Sequence, residues 1–550
     1  MIKQYVQDLR LEFKDYDHKK LTNDIMAGLT VTAVALPLAL AFGVSSGADA
    51  ASGLITAIIA GLLIGGLSGA SYQISGPTGA MSAILMSLAM KHGMEGVFLA
   101  GFISGIILLI AAAFRFGRLV SFIPAPVITG FTSGIAVIIA LGQVDNFLGT
   151  TSQGENAIEK IMSYAELGFS TNLYAILFGL LVVFVMVIWP KKWNAKFPSS
   201  LAGIIIALAI NWIFELPVDV VGEIPKTLFS ENRLTFGVMS VSNIINMINP
   251  AISIAMLGMI ESLLCGASAG KMKNEPLNAD RELVAQGIGN VLIPFFGGVP
   301  ATAAIARTSV AIKSGAQTRL VSVIHSVGLI ASMFLLGSVM SKIPLSALAG
   351  VLMVTAWRMN EWHEIKYIFN KKFGTAILEF TITMAATVMF DLTIAILIGV
   401  FSGIMMFVMK NSDLKIDVST VDLKRIKGHD VAEDFDNTKI VYLTGPLFFI
   451  TREKLTQLVE HSVDAENMII SMRAVTSIDE SAVIEFKDVV NKISKIGTKL
   501  IFCGVQCDVK EMFDRSGLTD LIGEDCFFWD AIGALRFLNV IQTENDELAI

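Results

Sequence analysis

From Ala50 to Met90 the chain contains no Asp, Glu, Lys or Arg. An uncharged apolar stretch of that length has no use in a water-soluble core. In a bilayer, whose hydrocarbon is about 30 Å thick, it is long enough for two helical crossings. The run is typical of the chain: mean hydropathy is +0.66 over 550 residues, with 54% hydrophobic and only 16% charged. The chain is therefore read as a polytopic α-helical membrane protein. About fourteen apolar segments can be laid out, near 24–43, 52–70, 76–90, 97–114, 122–142, 172–189, 198–213, 249–269, 281–293, 301–313, 319–339, 344–357, 374–390 and 392–409. The first 23 residues are highly charged and lack an apolar core or small-residue cleavage site, so no cleavable signal peptide is expected.

Loop charges set the orientation. With a cytoplasmic N-terminus, the inside segments hold 20 Lys+Arg and the outside segments five, Lys91, Lys160, Lys226, Arg233 and Lys342. That asymmetry is what the positive-inside rule expects. The balance then shifts along the chain. Residues 1–410 carry 26 Lys+Arg against 23 Asp+Glu, a net of +3, whereas residues 411–550 carry 15 against 25, a net of −10. Texture changes at the same place. "TKIVYLTGPLFFI", "NMIISMRAV" and "KLIFCGV" read as strands, separated by helix-like "REKLTQLVEHS" and "ESAVIEFKDVVNKIS". A cytoplasmic α/β domain over 411–550 follows, after an N-terminal arm (1–23) and a membrane domain (24–410), with the boundary near Lys410–Asp413. Cys265, Cys503, Cys507 and Cys526 fit neither a metal pattern nor a disulfide framework, and the last three are expected to be reduced.

The membrane part repeats itself. "FGVSSG" (42–47) and "CGASAG" (265–270) share a frame 223 residues apart, and "GPTGA" (76–80) and "VPATA" (299–303) place prolines at 77 and 300, also 223 apart. "FIPAPVITGF" (122–131) and "KIPLSALAGV" (342–351) match at an offset of 220. Three anchors in one order imply two repeats, about 24–215 and 245–410, of roughly seven spans each. Seven is odd, so the second repeat enters from the opposite side. The G-x-S-x-G at Gly43–Gly47 resembles a hydrolase nucleophile elbow. It ends a membrane segment and recurs at Gly266–Gly270, so it is read as helix packing.

The third segment of each repeat is too short to cross. After "GGVP" about twelve helix-forming residues precede Lys313 and Gly315, about 18 Å of helix. Pro77 and Pro300 are expected in the first turns of two half-helices meeting near the midplane. Facing N-termini offer free N–H groups and positive dipole ends, an anion site. Thr78 and Thr302 would add hydroxyls beside the amides of Gly79, Ala80 and Ala303. Arg307, five residues and roughly 8 Å beyond Thr302, either adds a fixed positive charge or snorkels to the surface. Glu261 stands in mid-span, where a carboxylate is expensive and serves as a proton-coupling candidate or a structural hydrogen-bonding group. Glu379 and Asp391 near span ends read as structural, and His92, His325 and His363 are isolated with no metal role.

"LPLALAFGVSSGA", "ISGPTGAM", "FIPAPVITGFTSGIAV", "AMLGMIESLLCGASAG", "ELVAQGIGNVLIPFFGGVPATAAIARTSVAIKSGA" and "GPLFF" closely resemble the sulfate permease (SulP) family over nearly the whole chain. The resemblance implies a 7+7 inverted repeat divided into core and gate domains, a C-terminal STAS domain, a homodimer, and secondary anion transport. It places the substrate site on Thr78–Ala80, Thr302–Ala303, Arg307 and the stretch around Pro37 to Phe42. Sodium-coupled bicarbonate members are similar here but carry Asp where Glu261 stands and a hydroxyl residue where Cys265 stands. A thiol is a poor sodium ligand, which favours a coupling proton held by Glu261 over sodium. The tail resembles STAS domains that carry a phosphorylatable serine, here Ser481, although Glu480 departs from the usual small residue; the other reading is a helix-capping segment. The expectation is an elevator-type, proton-coupled transporter of sulfate, a C4-dicarboxylate or bicarbonate in a bacterial cytoplasmic membrane, with both termini inside. STAS-binding regulatory proteins are possible partners; nucleic acid and metal are not expected. A nucleobase permease and a passive anion channel remain open, and an enzyme has no support.

Overall fold

The computed structural model describes residues 2–117, 123–153, 157–167, 170–190, 197–390, 392–411, 414–420 and 437–538. Asp391, Phe122 and the boundary residues Ser412 and Asp413 lie outside them. The chain forms two compact units, 1–403 and 404–550.

Among its described residues the first unit is helices and connecting loops, with one pair of two-residue strands. After α1 (Ile2–Glu12) come α2 (His18–Ser45), α3 (Ala50–Leu67), β1 (Ser75–Gly76) and α4 (Gly79–Ala113). Then follow α5 (Ala125–Gly142), α6 (Val144–Leu148), α7 (Ala157–Leu167), α8 (Leu173–Ile188) and α9 (Ser199–Phe214). The second repeat comprises α10 (Val241–Lys273), α11 (Ala279–Leu292), β2 (Thr302–Ala303), α12 (Ile305–Lys313), α13 (Leu320–Met340), α14 (Leu345–Met359), α15 (Trp362–Asn370), α16 (Gly374–Met389) and α17 (Leu392–Asn411). Gly93, at φ 66° and ψ −178°, breaks α4 into a half-helix and a full one, a conformation that a side chain would oppose. With α4 counted as two and α1, α6, α7 and α15 left aside, fourteen segments remain, those of an inverted 7+7 repeat. Pro124 and Pro344, matched in sequence, are the N-caps of α5 and α14.

Two packed groups emerge. α2, α3, α4 and α10–α13 form the core; α5–α9 and α14–α16 form the gate, with α17 against α5 through Gly399 and Gly403. Small residues bring backbones together: a Cβ on Gly53 would fall 2.7 Å from the Gly43 backbone, so the G-x-S-x-G glycine serves α2–α3 packing. Large apolar side chains such as Leu335 (78% exposed) and Phe401 (70%) stand outward, as a lipid-facing surface requires.

The second unit is a five-stranded sheet in the order β3 (Lys415–Thr420), β4 (Thr438–Thr444), β5 (Asn467–Ala474), β6 (Lys499–Cys503), β7 (Phe527–Phe528). β3 pairs antiparallel and the others parallel. The sequence reading finds β4, β5 and β6 but not the exposed edge strand β3 or the two-residue β7. α18 (Glu480–Ile496) buries Val483, Phe486, Val489 and Ile493 on one stripe. Asp479 caps α18, accepting from the Ala482 amide at 2.8 Å.

Candidate functional site

The two connections preceding the half-helices cross at the centre of the core. β1 and β2 run antiparallel, Gly76 opposite Thr302 and Ser75 opposite Ala303, and the Ala304 amide donates to the Ile74 carbonyl at 2.9 Å. That register puts Thr302 in a hydrogen-bonded pair and turns the Ala303 amide away from β1. Extended backbone inside a membrane survives only if its polar groups are satisfied. Here Asn290 accepts from the Ala301 amide (2.7 Å) and donates to its carbonyl (2.9 Å). Thr56 accepts from the Val299 amide (2.8 Å), Gln286 donates to Ser75 Oγ (3.1 Å), and Thr308 Oγ1 accepts from the Ile74 amide (3.0 Å). The sequence reading overlooks Asn290, Thr56 and Gln286. Their signal is weak, an uncharged polar residue inside an apolar span.

Neither proline occupies a first helical turn. Thr78 is the N-cap of the first half-helix, its hydroxyl accepting from the Met81 amide, so Pro77 lies one residue outside. The second half-helix begins only at Ile305, after Ala304, which offers no side-chain cap; nine residues remain rather than twelve. β-pairing withholds Thr302 and Ala303 from it. Its unpaired first-turn amides therefore belong to Ile305–Arg307, not Ala303. Thr302 also spends its hydroxyl on the Gly258 carbonyl of α10, at 3.2 Å. Gly79 and Ala80 do stand at the first tip, where both are buried.

Arg307 does not snorkel. It is 1% exposed and sits in the first turn of α12, far nearer the tip than counting from Thr302 suggests. Its Nη2 donates to the Pro77 carbonyl across the repeat boundary, and Nη1 has no protein partner among the described residues. A Cβ at Gly76 would overlap that guanidinium, so glycine there makes room for the arginine. On α10, Glu261 is half-buried and its Oε2 accepts from Thr78 Oγ1 at 2.9 Å. Glu261 and Arg307 thus bond to two consecutive residues, Thr78 and Pro77, of the same connection. The Cys265 thiol, one turn further along α10, approaches Thr308 Oγ1 at 3.4 Å.

Pro37 is buried in mid-α2, where its ring removes one backbone bond. Phe42, five residues on, lies 3.1 Å from where a Gly79 Cβ would be, with Ile139 of α5 beside it. A cavity of about 640 Å³ opens between core and gate, lined by Ser82 and Ser87 of α4, Ile139 and Gln143 of α5, Asn249 of α10 and Met389 of α16, with Lys91 and Lys160 further out. None of the eight substrate positions predicted from sequence lines it. It stops at Ser82, one turn from the first tip, where Phe42 and Ile139 cover Gly79. Ser481, in the second unit, is exposed in the first turn of α18.

Residues 21–386 match the sulfate permease family and residues 431–533 the STAS domain. The putative sulfate transporter YvdB of Bacillus subtilis is 33% identical over 94% of this chain and 97% of that protein. The bicarbonate transporter BicA of Picosynechococcus sp. is 28% identical over 78% of this chain and 79% of that one. Among solved structures, the murine Solute Carrier 26 family member A9 anion transporter in the inward-facing state superposes with a TM-score of 0.83, at 17% identity, covering 95% of this chain and 92% of that chain.

Proposed function

The chain belongs to the sulfate permease family, a family of membrane anion transporters rather than enzymes, and we propose that it carries sulfate or a related small anion by proton-coupled secondary transport. The observation that supports this most directly is the crossing itself. Two half-helix N-termini converge on a buried arginine with one unspent guanidinium nitrogen, beside a carboxylate held by the opposite tip's hydroxyl. Amide donors, dipole ends and a fixed cation favour an anion. Glu261 disfavours that anion when ionised and tolerates it when protonated, which couples the two. The thiol of Cys265 leaves the site short of a hard oxygen ligand for sodium. Core and gate helices pack as separate groups, which suits an elevator in which the core carries the anion past a dimer-anchored gate. We place the protein in a bacterial cytoplasmic membrane with both termini inside.

The test is uptake of labelled sulfate, fumarate and bicarbonate into proteoliposomes under an inward proton gradient, a sodium gradient, or neither. Proton-stimulated uptake of one anion, with the stimulation absent in Glu261→Gln, is the expected result. Uptake indifferent to both gradients would indicate an exchanger or channel and remove the coupling role of Glu261.

A further inference from the structure

The N-terminal arm does more than precede the first span. On α1, Tyr5, Asp8 and Glu12 recur at the spacing that shares one helical face, and all three are spent on the core. Tyr5 Oη donates to the Gly66 carbonyl at 2.8 Å, and its ring lies between the guanidinium groups of Arg281 (5.7 Å) and Arg319 (5.3 Å). Asp8 pairs with Arg281. Glu12 accepts from the Arg319 amide at 2.7 Å and from its Nε at 2.9 Å. Arg319 in turn donates to Gly66. These contacts pin α1 to the ends of α3, α11 and α13, where those helices leave the bilayer on the face that the loop charges place inside.

The docking pairs the acidic side of α1 with core arginines, Asp8 staying partly exposed, and leaves a different side outward. Lys3 and Arg10 are exposed on the side opposite Tyr5, Asp8 and Glu12, and Lys14 is exposed in the turn that follows the helix. Between the two faces runs an apolar strip, Val6 (42% exposed), Leu9 and Phe13. Of the remaining acids, Asp17 is engaged in capping α2, accepting from the Lys20 amide at 2.8 Å, while Asp15 is exposed beyond the helix end. A helix with one face on protein, an apolar strip and a basic face, held at the level where spans emerge, matches an interfacial helix. We infer that α1 lies on the cytoplasmic leaflet and binds anionic lipid headgroups through Lys3, Arg10 and Lys14, tying the transport core to the membrane surface. This inference does not depend on which anion is carried.

The experiment places a nitroxide at Val6→Cys in a Cys507→Ser/Cys526→Ser background, since Cys265 and Cys503 are buried. The full-length protein is reconstituted in phosphatidylcholine with or without phosphatidylglycerol. Expected is a nitroxide relaxed more by oxygen than by a water-soluble nickel chelate when phosphatidylglycerol is present, with that preference falling severalfold in K3Q/R10Q/K14Q. All three substitutions are on exposed side chains and leave the core contacts intact. A nitroxide as open to the nickel chelate in both lipid mixtures would overturn the inference, as would a triple variant indistinguishable from its parent.

Discussion

The two half-helices occupy equivalent places in the repeat and differ in almost every chemical detail. The first is capped by Thr78 and starts on Gly79, which Phe42 and Ile139 cover. The second starts on Ile305, 46% exposed, without a side-chain cap. The first tip presents a hydroxyl bonded to a carboxylate from the second repeat. The second presents an arginine that reaches back to the carbonyl of Pro77. On a shared backbone plan the two tips thus differ: one holds a carboxylate through its hydroxyl and the other carries a buried arginine. The first tip takes its carboxylate partner from the second repeat, and the second tip's own arginine bonds to a backbone carbonyl of the first, so the contacts at both tips cross the repeat boundary.

Removing the fixed charge should have the largest effect. Arg307→Ala deprives Pro77 of its donor and the site of its cation. Breaking a buried charged contact costs about 3–5 kcal/mol, so initial uptake should fall by roughly a hundredfold to a few thousandfold. Arg307→Lys should recover only part of this, because an ammonium cannot fork between a carbonyl and an anion. Uptake by Arg307→Ala within about threefold of the parent would contradict a cationic second tip.

Glu261→Gln comes next. Uptake at equal pH on both sides should persist, while the severalfold stimulation by an inward proton gradient should vanish. Retained stimulation would move the coupling group elsewhere. The threonines then sharpen the asymmetry between the tips. Thr78→Val loses a helix cap, about 1 kcal/mol, together with the partner of Glu261, so uptake should drop about five- to tenfold. Thr302→Val removes only a bond to a helix carbonyl and should cost about threefold or less. Equal losses would show that the tips are equivalent after all, and the reverse order would make Thr302 the more important hydroxyl.

The smallest effect lies outside the membrane. Burial pushes the Cys503 thiol above its ordinary value of 9.0. The folded domain therefore holds that proton more tightly than the unfolded chain. Its contribution to stability is intact below about pH 9 and declines as pH rises beyond it. Urea unfolding of residues 404–550 between pH 8 and 10 should show a decline that is shallower in Cys503→Ala, because that variant has no thiol to ionise. Parallel slopes would mean the thiol titrates as freely in the fold as out of it.

Much of this molecule was legible from local pattern. Apolar length marks spans because hydrocarbon thickness is fixed, and the matched prolines marked two interrupted segments because helical backbone cannot pass a proline unchanged. The acidic tail with short apolar strands announced a second domain. The place of Thr78, Gly79 and Ala80 at the first tip was legible because the Pro-Thr-Gly turn lies within four residues, although the cap turned out to be Thr78 with Pro77 outside the helix. What local pattern could not supply was where the second half-helix begins. "VPATAAIAR" is compatible with a helix from Ala301, and the delay to Ile305 arises because β2 pairs with a strand 227 residues earlier, Gly76 opposite Thr302, one step beyond the bond from Ala304 to Ile74.

One alternative left open by sequence was closed by distant contacts. Arg307 could snorkel or stay inside, and the absence of a Cβ at Gly76 gives it room to stay. Asn290 and Thr56, overlooked in the sequence, gain their role because the fold places Ala301 and Val299 against them. The sequence by itself determined the class, the spans, the repeat and the family, since each rests on hydrophobic length and spacing along one segment. The tertiary structure alone decided which amides stay free at the second tip, which carbonyl the arginine takes, and which hydroxyl holds Glu261. Those are contacts between repeats, and their energy depends on positions that no single segment encodes.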